Sequence, residues 1–162
     1  DAGRILVAVD DLTGLYNKGK FMQLRQSLFR NQDSITVFNM DVNNLKCMND
    51  NLGHESGDHL ILKAAESLHR IEARNVLAFR VGGDEFMIYV QDVASGEAAV
   101  QLAERISEQV RQTLESYQVT LSVGISLFPA HGESFEELYR AADAALYTVK
   151  KNGKAACCLF EE

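Results

Sequence analysis

The sequence predicts an α+β domain, a five-stranded sheet layered with helices. Five runs read as strands, and two β-rich ones are parted only by Gly82-Gly83-Asp84, a hairpin signal. The other runs are separated by long stretches with helical periodicity, and a sheet whose strands are joined by both a hairpin and helical crossovers belongs to the α+β class. Size agrees: 162 residues, 46% of them apolar, with a single proline and no repeat or low-complexity linker, suit one domain. A chain of about 150 residues buries roughly 70% of the surface its unfolded form exposes, so neither metal nor disulfides are needed to hold the core.

After a turn-like Asp11-Leu12-Thr13-Gly14, the spacing of Phe21, Leu24 and Leu28 predicts a first helix ending near Asn31. Residues 34–40 alternate and predict a strand ending at Asp41, followed by a short polar helix over 45–50. Beyond Gly53 and Gly57, the positions Ile61, Ala65, Leu68 and Ile71 mark a long helix with one buried face. Residues 76–81 and 85–90 form the hairpin strands, where the glycines are expected to supply the positive φ of a tight turn. Ala99, Leu102, Ile106, Val110 and Leu114 predict another helix, and 119–128 a strand sharing the sheet with the hairpin and the strand ending at Asp41. Ser134 with Glu137 reads as a capping box, opening a last helix through Leu138, Ala142, Ala145 and Val149 to a stop at Gly153. Residues 155–160 close the chain as a strand.

Charge excludes one class of function. Lys and Arg number 16 against 23 Asp and Glu, a net −7, with no basic stripe, so a sequence-independent nucleic-acid binder is not expected. An anionic ligand would need local cations or a bound metal against this field. Cys47 is isolated, and the adjacent Cys157 and Cys158 should point to opposite faces of a strand, leaving no zinc spacing and no disulfide framework. Three thiols without a signal peptide suggest a reducing, cytoplasmic compartment. No apolar run approaches the roughly 18 residues of a membrane span. The row begins at Asp1 without Met, which reads as a fragment of a longer protein, with residues 1–10 the tail of an upstream linker or helix and 11–162 the domain. A sensory module upstream, or a membrane tether in the full-length protein, is compatible with that reading.

Two acidic features stand where strands end: Asp41 with Asn43, and Asp84-Glu85 on the hairpin turn. Carboxylates from neighbouring strands can converge on a hard cation, and magnesium needs only one or two of them when substrate phosphates and water complete its shell. The plainer reading is that acidic turn residues are solvated or cap helices.

Order and spacing add to this. Gly82-Gly83-Asp84-Glu85-Phe86 is preceded by Asp41-Val42-Asn43-Asn44-Leu45-Lys46-Cys47-Met48-Asn49-Asp50 and by Gly53-His54-Glu55-Ser56-Gly57-Asp58. The chain resembles the GGDEF domain, the diguanylate cyclase family. Asp10-Asp11-Leu12-Thr13-Gly14-Leu15-Tyr16-Asn17 is similar to the family's opening motif, Ser122-Val123-Gly124-Ile125-Ser126 to its late strand, and residues 141–154 to its last helix. The resemblance covers roughly residues 10–160 and implies a mostly antiparallel five-stranded sheet of the nucleotide-cyclase or palm-like type.

It further implies condensation of two GTP into cyclic di-GMP and two pyrophosphates, each GTP held by one domain of an antiparallel homodimer. A single pocket holding one nucleotide cannot align a 3′-hydroxyl with a second α-phosphate. By similarity, Asp41, the Val42 carbonyl and Asp84 would bind Mg2+ or Mn2+ with Glu85 beside them, and Asp84 or Glu85 would take the proton. Gly82 and Gly83 would let the backbone approach the phosphate. Asn49 and Asp58 align with the guanine-contacting pair, since a carboxylate accepts from guanine N1–H and the 2-amino group and adenine offers neither donor there. Asp58 also suits a helix N-terminus. Lys46, Lys150 and Lys154 would meet phosphates, although cations at a helix C-terminus equally complement its dipole. His54 would order its loop.

Some positions depart from the family pattern. Lys154 replaces a frequent Arg and offers a point charge without the guanidinium fork. Asn43 stands for a frequent Asp and Ala155 for a frequent Asn. The family's product-inhibition site is an Arg-x-x-Asp, and its register here reads Ala73-Arg74-Asn75-Val76, so that site is expected to be absent. Three other readings stay open: a catalytically silent GTP-binding regulatory module, a dimerisation domain, and a nucleotidyl cyclase making a cyclic mononucleotide.

Overall fold

The computed structural model describes residues 9–24, 35–43, 45, 50, 53–72, 75–93, 95–117, 119–153 and 155–161. Within them the chain runs α1 (Lys18–Leu24), β1 (Ile35–Val42), α2 (His54–Ile71), β2 (Val76–Arg80), β3 (Glu85–Gln91), α3 (Gly96–Thr113), β4 (Leu121–Phe128), α4 (Phe135–Lys151) and β5 (Cys157–Leu159). The strand order is β2-β3-β1-β4-β5, with β1 central and antiparallel to both neighbours and only the edge strand β5 parallel to its partner. This is the mostly antiparallel five-stranded sheet the sequence predicts. Leu28, Asn31, Ser34 and Cys47 lie outside the described residues, as does most of the predicted helix over 45–50, of which Leu45 and Asp50 are helical.

Strand β1 is buried on both sides, so its alternation separates two cores rather than core from solvent. Phe38, Met40 and Val42 join Leu60, Ile61, Ala64 and Leu68 of α2 and Ala99, Ala103, Ile106 and Val110 of α3 in one core. Val37 lies on the other face with Phe79, Met87 and Tyr89, beneath Phe21 of α1 and Phe135, Leu138 and Ala142 of α4. Asn39 and Asp41 share that second face by the period of two.

Helix α4 lies unusually close to the sheet. Its neighbours on β4 are small, Ser122, Gly124 and Ser126, and a Cβ at Gly124 would stand 2.0 Å from the Ala142 carbonyl and 2.3 Å from the Leu146 nitrogen. Ser126 Oγ donates to the Leu138 carbonyl at 2.7 Å. The Ser-Val-Gly-Ile-Ser run is thus a docking strip for the last helix. As predicted, Ser134 caps that helix, accepting from Glu137 N at 3.2 Å, and Gly153 ends it at φ 104.

Two expectations need correction. Helix α2 begins at His54 rather than beyond Gly57, after Gly53 at φ 91, so Gly57 is buried in the first turn and Asp58 opens the second. Neither Gly82 nor Gly83 has a left-handed φ. The hairpin loop is wider than a two-residue turn and is closed by Val81 N donating to Glu85 O at 3.0 Å, so it makes no such demand. Gly82 instead spares the Glu85 side chain, whose Oε2 would stand 3.0 Å from a Cβ there. Cys157 and Cys158 do face opposite ways, Cys157 against the α3 core and Cys158 beside Ala144 and Thr148 of α4. Burial pushes the Cys157 thiol up to about 11, which keeps it unreactive.

Candidate active site

The end of β1 gathers the acidic residues. Sheet register sets Asp41 directly opposite Glu85 on β3 and Ser122 on β4. The Val42 N–H donates to the Asp84 carbonyl at 3.1 Å, drawing the hairpin turn against the strand end. Glu85 and Asp41 face α4, which passes overhead. Asp41, Asp84, Glu85, Asp143, Leu146, Tyr147 and Lys150 line a cleft of about 360 Å³. Lys150 Nζ forms an ion pair with Asp41 Oδ2, reaching a carboxylate whose side chain is only 5% exposed while the lysine remains 39% exposed. The other oxygen, Asp41 Oδ1, is buried without a hydrogen-bond partner.

These contacts set the electrostatics. Burial raises the Asp41 carboxyl above its usual range, Asp84 and Asp143 add to the shift, and Lys150 opposes it. Glu85 is likewise raised, by burial first and then by Asp41, Asp143 and Asp84. For Lys150, burial works against the charge, but the contact with Asp41 outweighs it and the ammonium is held above its normal value. Tyr139, one helical turn before Asp143, is pushed up to about 12 by burial and by Glu85, Asp143 and Asp41.

No group of three or more His, Cys, Asp or Glu side chains among the described residues is drawn together closely enough to hold an ion alone. A hard divalent ion carried in by phosphates needs fewer protein ligands. The four carboxylates of the lining and the orphaned, buried Asp41 Oδ1 fit such an ion. Larger hollows run along α3, one of about 600 Å³ lined by Gln101, Glu104, Arg105, Glu108, Gln109 and Gln112, but that one is a single helix face without converging groups.

Of the residues singled out from the sequence, Asp41, Asp84, Glu85 and Lys150 meet in the cleft, with Val42, Gly82 and Gly83 beside it on β1 and the turn. Asp58 is exposed on α2 and does not line the cleft. Lys46, Asn49 and Lys154 lie outside the described residues, as do Ala73 and Arg74; His54 opens α2, its side chain likewise outside them. Asn43 is engaged structurally: its Nδ2 donates to Thr120 Oγ1 at 2.8 Å and its Oδ1 accepts from Ser122 Oγ at 3.1 Å. It binds the end of β1 to β4.

Sequence reasoning passed over Asp143 and Tyr147. They stand seven and three positions before Lys150, on one stripe of α4, a periodicity that was present in the row. It also passed over Arg80, whose Nε and Nη2 donate to the carbonyls of Gly82 and Gly83 at 3.2 and 2.9 Å. The same guanidinium bonds Asp10, which also accepts from Thr13 N at 2.9 Å and Thr13 Oγ1 at 2.7 Å. The opening turn is thereby tied to the acidic hairpin.

The chain is similar in sequence and fold to known proteins. The chain is 33% identical over 94% of its length to the bifunctional diguanylate cyclase/cyclic di-GMP phosphodiesterase MucR of Pseudomonas aeruginosa, and 35% identical over 97% to the cyclic di-GMP phosphodiesterase PdeR of Escherichia coli. It spans only 23% and 24% of those two proteins. The solved GGDEF domain of YfiN (TpbB) from P. aeruginosa superposes with a TM-score of 0.81 at 28% identity, covering 94% of each chain. The family model "Diguanylate cyclase, GGDEF domain" matches residues 7–156, and with the sheet order and the acidic hairpin in place this chain belongs to the GGDEF family.

Proposed function

We propose that this domain condenses two GTP molecules into cyclic di-GMP with release of two pyrophosphates, working as one half of a two-copy assembly. The observation that carries the reading is the cleft at the end of β1, where Asp41, Asp84 and Glu85 face Lys150 and one buried Asp41 oxygen lacks a partner. A divalent ion bound there would neutralise phosphate charge, lower the pKa of the attacking hydroxyl and ease departure of pyrophosphate.

The chain's own residues divide the remaining work. Asp41 and Asp84 would hold the ion, with the Val42 carbonyl beside them. Glu85, whose carboxyl is raised by burial and by its acidic neighbours, would receive the proton, with Asp84 the other acceptor within the turn. Lys150 and, by the family resemblance, Lys46 and Lys154 would meet the phosphates. Asn49 and Asp58 would read the guanine edge. In this reading the cleft holds one nucleotide, so the second GTP, whose 3′-hydroxyl attacks, has to come from another copy of the domain. A regulatory module that binds GTP without turning it over is the second reading, favoured by the 35% identity to a protein named as a phosphodiesterase.

Incubation of the chain with GTP and Mg2+, with the product identified by mass, tests both. Cyclic di-GMP should appear, should vanish in Asp84→Asn, and should rise more steeply than linearly with dilute enzyme. GTP binding without product would favour the regulatory reading.

A further inference from the structure

The Lys150–Asp41 ion pair joins two residues that the proposed function assigns to different ligands, the lysine to phosphate and the aspartate to the ion. Both cannot be satisfied in the arrangement seen. Helix α4 cannot carry Lys150 away, because the Gly124 backbone packs directly against Ala142 and Leu146. Only the flexible side chain can move, and its 39% exposure leaves it a solvent side to move into. Asp41 has no comparable freedom: it is 5% exposed, sits in the central strand and is paired by register to Glu85 and Ser122.

Charge decides which partner Asp41 should prefer. The cleft lining holds four carboxylates, Asp41, Asp84, Glu85 and Asp143, against one ammonium. A single positive charge on one oxygen leaves Asp41 Oδ1 buried and unpaired, an unfavourable state for a carboxylate. A divalent ion supplies more charge to the same group, and an ammonium sharing that carboxylate would be repelled by it.

We propose that Lys150 is a resident counter-cation of the cleft, exchanged for the divalent ion at Asp41, so that arrival of the ion releases the ammonium to the triphosphate and couples the two binding events. The inference rests on the reading of the cleft as an ion and triphosphate site. It gives Lys150 two opposite effects: competing with the ion when nucleotide is absent, and holding the nucleotide once the ion is in place. Because coupling is reciprocal, the nucleotide tightens the ion by the same factor as the ion tightens the nucleotide.

The test is titration of the chain with Mn2+ alone, followed by its paramagnetic resonance signal, for the unaltered protein, Lys150→Met, Asp41→Asn and the charge control Lys151→Met. Lys151 is the next, exposed residue of α4. Lys150→Met should bind Mn2+ about tenfold more tightly than the unaltered protein, with Lys151→Met unchanged. A second titration uses 3′-deoxy-GTP, which lacks the attacking hydroxyl, with and without Mn2+. Lys150→Met should bind it more weakly and show a smaller coupling factor. If Lys150→Met binds Mn2+ no more tightly, or Lys151→Met gains as much, the exchange is overturned. Should Mn2+ binding then still be lost in Asp41→Asn, the ion site stands without it. Absence of Mn2+ binding in every protein, with or without nucleotide, overturns the ion reading and the exchange together.

Discussion

Arg80 grips Asp10 with one nitrogen, Nη1 lying 3.1 and 3.3 Å from the two carboxylate oxygens, while its Nε and Nη2 hold the carbonyls of Gly82 and Gly83. One planar cation thus spans residues 70 positions apart and fixes the turn that carries Asp84. The opening turn is held from elsewhere too, since Arg80 N donates to Tyr16 O at 2.9 Å and His69 Nε2 lies 3.1 Å from the Thr13 carbonyl.

Replacing Arg80 by Lys should therefore reduce turnover without unfolding the domain. A lysine offers a point charge that cannot reach both carbonyls and Asp10 at once. Urea unfolding should show a loss of about 1–3 kcal/mol, and turnover should fall about ten- to a hundredfold as Asp84 loses its fixed position. Normal turnover in Arg80→Lys would show that the turn is held by other means.

Acid should weaken the same link. Asp10 is buried enough for desolvation to oppose its charge, but the Thr13 hydrogen bonds and Arg80 outweigh this and its carboxyl sits below the usual 3.8. A depressed carboxylate contributes stability above its unfolded value and loses it as pH falls through the folded one. The stability difference between the unaltered protein and Asp10→Asn should stay constant from neutral pH down to about 4 and shrink below that.

Glu85 should behave in the opposite sense, because its folded pKa is raised. Its ionised form is disfavoured by the fold at neutral pH, so Glu85→Gln in metal-free buffer should unfold at higher urea than the unaltered protein while making no product. The gain should fade as pH drops through the folded pKa, where Glu85 takes up its proton. A variant less stable at pH 7 would contradict this.

Gly124→Ala tests how α4 is seated. A methyl group 2.0 Å from the Ala142 carbonyl cannot be accommodated without lifting the helix, so a loss of about 3 kcal/mol or failure to fold is expected. Native-like urea unfolding in this variant would mean that α4 docks farther from the sheet.

Ala155 holds a left-handed backbone, φ 59, while its N–H donates to Ser122 Oγ at 3.2 Å. A Cβ-bearing residue pays about 1–2 kcal/mol there, and glycine or asparagine pays less. Ala155→Gly should raise stability by about 1 kcal/mol in urea unfolding, and Ala155→Asn by somewhat less.

Features that live within a few residues were legible in advance. The stripe Ile61, Ala65, Leu68 marked α2, Ser134 marked the start of α4, and two β-rich runs around Gly82-Gly83 marked the hairpin, since each signal arises from local geometry and solvent exposure. The start of α2 was misplaced because Gly53 and Gly57 are equally good breakers in a row, and only the fold shows Gly57 buried within the first turn. The conformation of Gly82 and Gly83 was misjudged for a similar reason: a wide loop and a tight turn use the same letters.

By itself, the sequence determined the order of helices and strands, the family and the acidic residues at the strand ends, because periodicity and motif spacing are properties of the chain alone. Tertiary structure decided which of these groups meet. The antiparallel register put Asp41 against Glu85, and the close seating of α4 on Gly124 brought Asp143, Tyr147 and Lys150 over them. It also committed Asn43 to Thr120 and Ser122, and Arg80 to Asp10. Such pairings depend on strand register and on the distance between packed layers, which are set jointly by residues remote in sequence and so leave no local pattern to read.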